Sequence, residues 1–183
     1  QSLYLFEMAL PLAYSKSLAN WHWLTATSMI AAVGCVMKAQ TLGDKDPQKG
    51  TWMFRHKSFG LLTAFFVVPR VAARYSSLIP APMPGSPLIQ NAARASHGLL
   101  YVFMIGMSVT GVLMGIFSGR GMPFFVTTIP GAEANKKISG TSYNIHKTLG
   151  HYGKYLIPLH VAGAGYHVAK GQTIFARMNP FAP

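Results

Sequence analysis

Apolar residues in this chain gather into four long runs, separated by polar, proline-rich or glycine-rich breaks. The runs cover about residues 18–37, 54–75, 89–117 and 143–170. Each approaches or exceeds the ~20 apolar residues that carry an α-helix across a hydrocarbon core roughly 30 Å thick. Residues 1–15 are partly apolar, broken by Pro11 and too short to span, which predicts an interfacial arm. Asp44, Lys45, Asp46 and Pro47 break the chain after the first run, and four prolines stiffen 79–87 after the second. Residues 118–141 read as a loop rich in Gly, Pro and polar residues. Pro69 predicts a late bend in the second run. The pattern predicts an all-α membrane protein, a bundle of four transmembrane helices over residues 16–178, with 179–183 as a C-terminal tail.

Composition sharpens this picture. Half of the 183 residues are hydrophobic and only 11% are charged, yet the formal net charge is +12. The cations flank the apolar runs instead of forming a free patch, so nucleic-acid binding is a poor fit. Anionic headgroups of the lipid bilayer, haem propionates or an acidic redox partner fit better. One cysteine, Cys35, excludes a disulfide or Cys-ligated cluster within the chain, and its apolar surroundings predict a small buried hydrophobe. An opening at Gln1 without Met is expected of a chain that has lost a leader or its true start.

The histidines change the picture most. There are seven, and ionisable groups inside a membrane point to function by default. His146 and His160 share the fourth run, 14 residues apart. On a helix that is ~21 Å of rise and a turn of only about 40° around the axis, so both imidazoles lie on one stripe at two depths. Let X be the side holding the N-terminal start of the first run and Y the other side. Alternation of four spans then puts His22 and His97 near X, His56 and His146 near Y, and His160 back near X. Imidazole is the usual nitrogen ligand of haem iron. Two haem b groups are therefore expected, one between His56 and His146 and one between His22 and His160.

Other residues are drawn in around these pairs. His167 continues the stripe, and spacing alone does not separate it from His160. His97 either meets a propionate with Arg94 or replaces His22; His151 is turned away. Arg55 and Lys57 at Y, and Arg70, Arg74 and Arg94 at X, are propionate candidates, with snorkelling to headgroups as the plainer role. Gly153, on the stripe between His146 and His160, offers close approach to a macrocycle. Gly111 and Gly115 suit either a macrocycle or helix packing. Pro158 frees a carbonyl one turn before His160.

Taken in order, Trp21-His22-Trp23, Arg55-His56-Lys57-Ser58-Phe59-Gly60, His97-Gly98-Leu99, Gly119-Arg120-Gly121-Met122-Pro123, Glu133-Ala134-Asn135, His146 to His160 and Arg177-Met178-Asn179-Pro180 resemble the bacterial-type cytochrome b-561 family. The resemblance covers nearly the whole chain after residue 15. It implies a four-helix, di-haem b membrane protein with ligands at His22, His56, His146 and His160. It also implies electron transfer involving quinone, with superoxide as donor in some members. The family places side X in the cytoplasm. Here X carries Lys16, Arg70, Arg74, Arg94, Lys170 and Arg177. Y carries ten cations, among them Lys38, Lys45, Lys49, Lys136, Lys137, Lys147 and Lys154, so the positive-inside rule does not support that orientation. Its setting is expected to be a bacterial inner membrane or an organelle's energy-transducing membrane, the mitochondrial inner membrane first among the latter.

Two classes of function stay open on these grounds. One is an electron carrier with quinone oxidoreductase activity. The other is a haem-bearing or structural subunit of a larger respiratory or photosynthetic complex, or a homodimer. A histidine-based metal transporter fits poorly, because the runs hold almost no carboxylates to accompany the imidazoles.

Overall fold

A computed structural model of the protein describes residues 11–181. Most of the predicted interfacial arm, residues 1–10, and the last two residues of the tail lie outside the described residues. The helices begin where backbone chemistry favours a start. Ser15 caps α1 (Lys16–Thr41) by accepting the Leu18 N–H. Asp46 caps α2 (Pro47–Ser76) with Pro47 at its first position, and Ser86 and Pro87 do the same for α3 (Pro87–Ile116). Asn135 accepts from Lys137 N and Ile138 N, both at 3.1 Å, to open α4 (Lys136–Gly153). Proline at the first helical position has no N–H to waste and a φ already suited to the helix.

These caps explain where the runs and the helices differ. Asp46-Pro47 reads as a breaker on the apolar pattern but is a helix start, so α2 begins seven residues before the second run. Asn135 likewise starts α4 seven residues before the fourth run, inside the stretch expected to be loop. That run is also not one helix. It divides into α4 and α5 (Leu156–Ala169), with Lys154 and Tyr155 still in right-handed helical conformation between them. Pro158 has no N–H for the Lys154 carbonyl, which opens the ladder there and kinks the rod without reversing it. A four-residue helix, α6 (Ile174–Arg177), ends the chain.

The all-helical expectation needs one correction. Met122–Phe124 (β1) and Thr127–Ile129 (β2) form an antiparallel hairpin, Met122 opposite Ile129, inside the expected loop. Its tip places Phe125 at φ +50° and leaves Val126 fully exposed. Ser58, wholly buried on α2, pins the hairpin: Phe125 N donates to Ser58 Oγ at 2.9 Å.

Packing is inverted relative to a water-soluble bundle. Small residues lie inside and large apolar ones outside. On α1, Leu18, Thr25, Ala32 and Ala39 repeat every seven residues, with Ser28 and Cys35 three places on, and all are buried. This is a coiled-coil seam built of small side chains, and it lets α2 approach closely enough for Thr63 Oγ1 to donate to Ser28 Oγ at 3.0 Å. Outward, Val102, Ile105 and Val109 line one face of α3, and Phe65 and Val68 stand exposed on α2. Lipid is the solvent that suits such a surface. Among the described residues α3 alone is long and apolar enough, by length and composition, to cross a membrane, with a mean hydropathy of 2.1 over its best 18 residues. The break at Lys154–Tyr155 keeps the fourth run below that length in either half.

At the X end, Arg177 fastens three segments. Its side chain donates to the carbonyls of Leu12 at 3.1 Å and Ala81 at 2.6 Å, and its own carbonyl accepts from Tyr14 N. Trp23 Nε1 donates to Met178 O at 2.8 Å and ties the C-terminal segment to α1.

The seam predicts a sharp asymmetry in tolerance. Ala39→Leu, at a position 1% exposed, is expected to cost about 1–3 kcal/mol by overpacking. Ile30→Leu on the outer face of the same helix stays within about 0.5 kcal/mol. Unfolding in mild detergent, followed by tryptophan fluorescence, measures both.

Candidate haem centres

Four of the expected residues meet in two pairs. His56 on α2 and His146 on α4 face each other with ring centroids 6.2 Å apart. His22 on α1 and His160 on α5 do so at the same 6.2 Å. An imidazole nitrogen binds a transition metal at ~2.0 Å, and the ring centroid lies ~1.1 Å further back, so two imidazoles on opposite sides of one ion have centroids about 6.2 Å apart. Both pairs are spaced so that their imidazoles could hold one metal ion between them.

Hydrogen bonding decides which ring nitrogen is available at Y. His56 Nδ1 lies 2.9 Å from the Ala32 carbonyl oxygen, which only accepts, so Nδ1 carries the proton. His146 Nδ1 lies 3.1 Å from Thr110 Oγ1, whose own proton goes to Gly106 O at 2.6 Å. Thr110 therefore accepts from His146. Each Nε2 is then the bare nitrogen, and that of His146 is buried with no partner. A buried, unpaired lone pair is costly unless an electrophile meets it. A cavity of about 500 Å³ adjoins the pair, within the ~300–1,000 Å³ that holds a cofactor-sized ligand. Four helices and the hairpin wall it, and Lys57, Ser118, Arg120, Ser139 and Tyr143 are among its polar lining near the Y end. The site fits a haem held by His56 and His146.

The X pair lies among aromatic rings. His22 is flanked by the Trp23 ring at 5.2 Å, and His160 by the His97 ring at 5.2 Å. None of the α5 residues is buried, although the helix is strongly apolar. A helix with that composition and so little protein covering is expected to pack against a cofactor or lipid.

The remaining candidates separate cleanly. His167 Nδ1 is 2.5 Å from Gln172 Oε1, and Gln172 Nε2 donates to Pro84 O, so His167 serves the X surface and not the pair. His151 packs on Tyr152 away from both pairs. Arg55 stacks on Trp52, its guanidinium carbon 4.7 Å from the ring centre, and does not line the cavity. Lys57 does line it, together with Arg120, which the apolar pattern gave no reason to single out. Arg94 is exposed and bonds Asn91 on its own helix at 3.3 Å. Arg70 stands over Tyr101 at 5.6 Å with Nε buried and unpartnered. Arg74 is half-buried on the same face of α2, one turn on from Arg70. At Gly153 the expected approach of a macrocycle is replaced: a β-carbon there would strike the buried Phe103 ring of α3. That phenyl group also lines the cavity from the side facing away from Y.

Comparison with known proteins gives this constellation its context. The family model described as prokaryotic cytochrome b561 matches residues 13–180. The chain belongs to this cytochrome b561 family. Cytochrome b561 homolog 2 of Escherichia coli K12 is 31% identical over 116 residues, 63% of this chain and 62% of that relative's length. Cytochrome b561 homolog 1 of the same organism is 24% identical over 90% of this chain and 96% of its own. The probable superoxide oxidase CybB of Yersinia pestis is 26% identical over 90% and 95%. Membership makes b-type haem the group for which a cytochrome b561 keeps such histidines, and membrane electron transfer its activity.

Gly111 tests the Y site. A β-carbon there would lie 3.2 Å from His146 Cε1, so Gly111→Val is expected to push the imidazole off axis and lower haem content per chain. Gly34→Ala, with open space around it, leaves haem content unchanged. A pyridine haemochrome assay reads both.

Proposed function

We propose that the chain is a di-haem b electron carrier, with His56 and His146 ligating one haem and His22 and His160 the other. The observation that carries the reading is the Y pair: two imidazoles whose Nδ1 protons are given to oxygens, leaving bare Nε2 nitrogens at axial-ligand spacing. The X pair repeats the spacing. One member of each pair, His146 and His160, lies on the kinked rod of α4 and α5, 14 residues or ~21 Å of helical rise apart. Alternation of four spans puts them at opposite faces of a bilayer.

Haem would supply one-electron redox chemistry when bound, and a pair of histidines holding it would confine that chemistry to electron exchange. The chain's own residues then have three tasks. His22, His56, His146 and His160 hold the iron. Lys57 and Arg120 at Y, and Arg70 with Arg74 at X, balance propionate charge. The apolar walls exclude water. Exchange with partners takes place at the rims. Quinone docks at X, where exposed His97 stands beside His160 and offers a hydrogen-bonding ring. The Y rim, with Lys57 and Arg120, suits an anionic donor. Superoxide, which the Yersinia relative's name gives as its substrate, is such an anion; an acidic protein within a larger complex is the second reading. The matched relatives are bacterial, which supports a bacterial-type membrane as the setting and lends nothing to an organelle.

His56→Ala and His146→Ala are each expected to remove one haem and leave the spectrum of the other intact. His22→Ala and His160→Ala remove the complementary one. Reduced-minus-oxidised difference spectra distinguish them, and loss of both haems or of neither in the Y variants defeats the pairing.

A further inference from the structure

The outer face of α4 does not match the outer faces of its neighbours. Ser142, His146, Leu149 and Gly153 turn inward, toward α3 and the cavity. The opposite face carries Asn144, Lys147, Thr148, His151, Tyr152 and Tyr155, all exposed. Their spacing of three and four residues makes one polar stripe, which runs down the helix into its junction with α5. Lys154 flanks the stripe, its ammonium 5.2 Å from the Tyr155 ring centre. The His151 ring packs on Tyr152 at 4.8 Å.

The stripe lies at a depth where α3 faces lipid. Steric contacts fix the level. A β-carbon on Gly111 would lie 3.2 Å from His146 Cε1, one on Gly106 would lie 3.0 Å from Leu149 Cδ1, and Gly153 abuts Phe103. Over this stretch α3 turns Val102, Ile105 and Val109 outward, within the helix whose length and composition suit a membrane crossing. At the same level α4 turns outward a histidine, a lysine and two tyrosines. Lys147, beside His146, can extend toward the Y headgroups. His151 and Tyr155 lie ~7.5 and ~13.5 Å deeper along the rise and have no such reach. Ionisable side chains inside a membrane face protein or enclosed water and are paired there. Bare lipid does not suit this face.

We propose that this stripe is an interface within the membrane: it seats a transmembrane helix of a different polypeptide, one that carries an aspartate or glutamate at the level of His151 and Lys154. Charge complementarity selects the carboxylate, because the stripe and its flank offer cations and hydroxyl donors and no acid. Helices α1 to α5 contain no Asp or Glu. Neither another helix of this bundle nor a helix of a second copy can therefore supply the counter-charge. An ammonium–carboxylate pair closed off from water, with tyrosine hydroxyls to fill the remaining lone pairs, is a strong and specific contact. The inference stands on the bundle crossing a membrane and is independent of how many haems the bundle holds.

Photo-crosslinking of the full chain in its native membrane tests it. The photoreactive residue p-benzoylphenylalanine is placed at Tyr152 on the stripe and, separately, at Val102 on the outer face of α3. On irradiation the Tyr152 probe is expected to join one other polypeptide, at a segment that mass spectrometry shows to be apolar and to contain Asp or Glu. The Val102 probe is expected to give lipid adducts. Lys154→Gln removes the cation and lowers the protein adduct about tenfold or more, Lys154→Arg keeps it, and haem per chain is unchanged in both. Lipid as the only adduct at Tyr152, no adduct there while Val102 reacts, a second copy as the partner, or a joined segment without a carboxylate overturns the proposal. So does an adduct yield that Lys154→Gln leaves unmoved. If the probe-bearing chain does not accumulate, migration on a native gel in mild detergent decides the matter: Lys154→Gln loses a partner that the parent chain and Lys154→Arg retain, and equal migration of all three overturns the interface.

Discussion

A deprotonated imidazole nitrogen in an apolar interior has few ways to be satisfied. Water is excluded, backbone donors are committed to their helices, and carboxylic acids are absent from the spans. His146 Nε2 is in this position, because Thr110 holds the ring's one proton on the other nitrogen. His56, fixed the same way by the Ala32 carbonyl, brings its ring within 6.2 Å of it, centroid to centroid, from α2. The spacing of the two rings is that of a pair able to hold one metal ion. The bundle is arranged to keep that gap open, and its other features follow from doing so.

Space for a cofactor comes from unequal helix packing. α1 and α2 close on each other through a seam of Ala, Ser, Thr and Cys, with a threonine–serine hydrogen bond across it. That pair forms a firm wall. α3 packs with α4 and α5 on the other side, and between the two walls a cavity of about 500 Å³ remains. Small side chains thus do two jobs. In the seam they bring helices together, and at Gly111 they let an imidazole ring pass close to a backbone. The hairpin covers the Y end, pinned by Ser58 two residues along from His56, and its approach brings Arg120 to the cavity mouth. At the X end Arg177 joins the N-terminal segment, the proline loop and the C-terminal segment, so that the opening near His22 and His160 sits in an ordered frame.

Periodicity and depth carried the sequence reading a long way. Four apolar runs, the 14-residue spacing of His146 and His160, and the alternation of spans were enough to name both histidine pairs. They work because a helix has a fixed rise and turn, and a bilayer a fixed thickness. The same logic failed at boundaries. Asp46-Pro47 and Asn135 are polar, and polar residues read as loop until their capping role is recognised. The fourth run looked continuous because an apolar pattern does not register one missing backbone donor at Pro158. The hairpin at Met122–Ile129 escaped because six residues of strand carry too short an alternation to stand out from a Gly- and Pro-rich loop. Gly153 was assigned to a macrocycle for want of any way to see Phe103 coming from another helix.

What the sequence by itself determined is therefore the four apolar segments, the imidazoles each of them carries and the stripe that His146 and His160 share. All of these are properties of one segment at a time. Only the tertiary structure decided which nitrogen of each imidazole is free, which cations reach the cavity, and which residue fills the space between the two sites. Thr110, Arg120 and Phe103 matter through partners 36, 64 and 50 residues away, at His146, His56 and Gly153. Such relations depend on how helices rotate and lean against one another. Those angles are set by the summed fit of many side chains, and no local pattern encodes them.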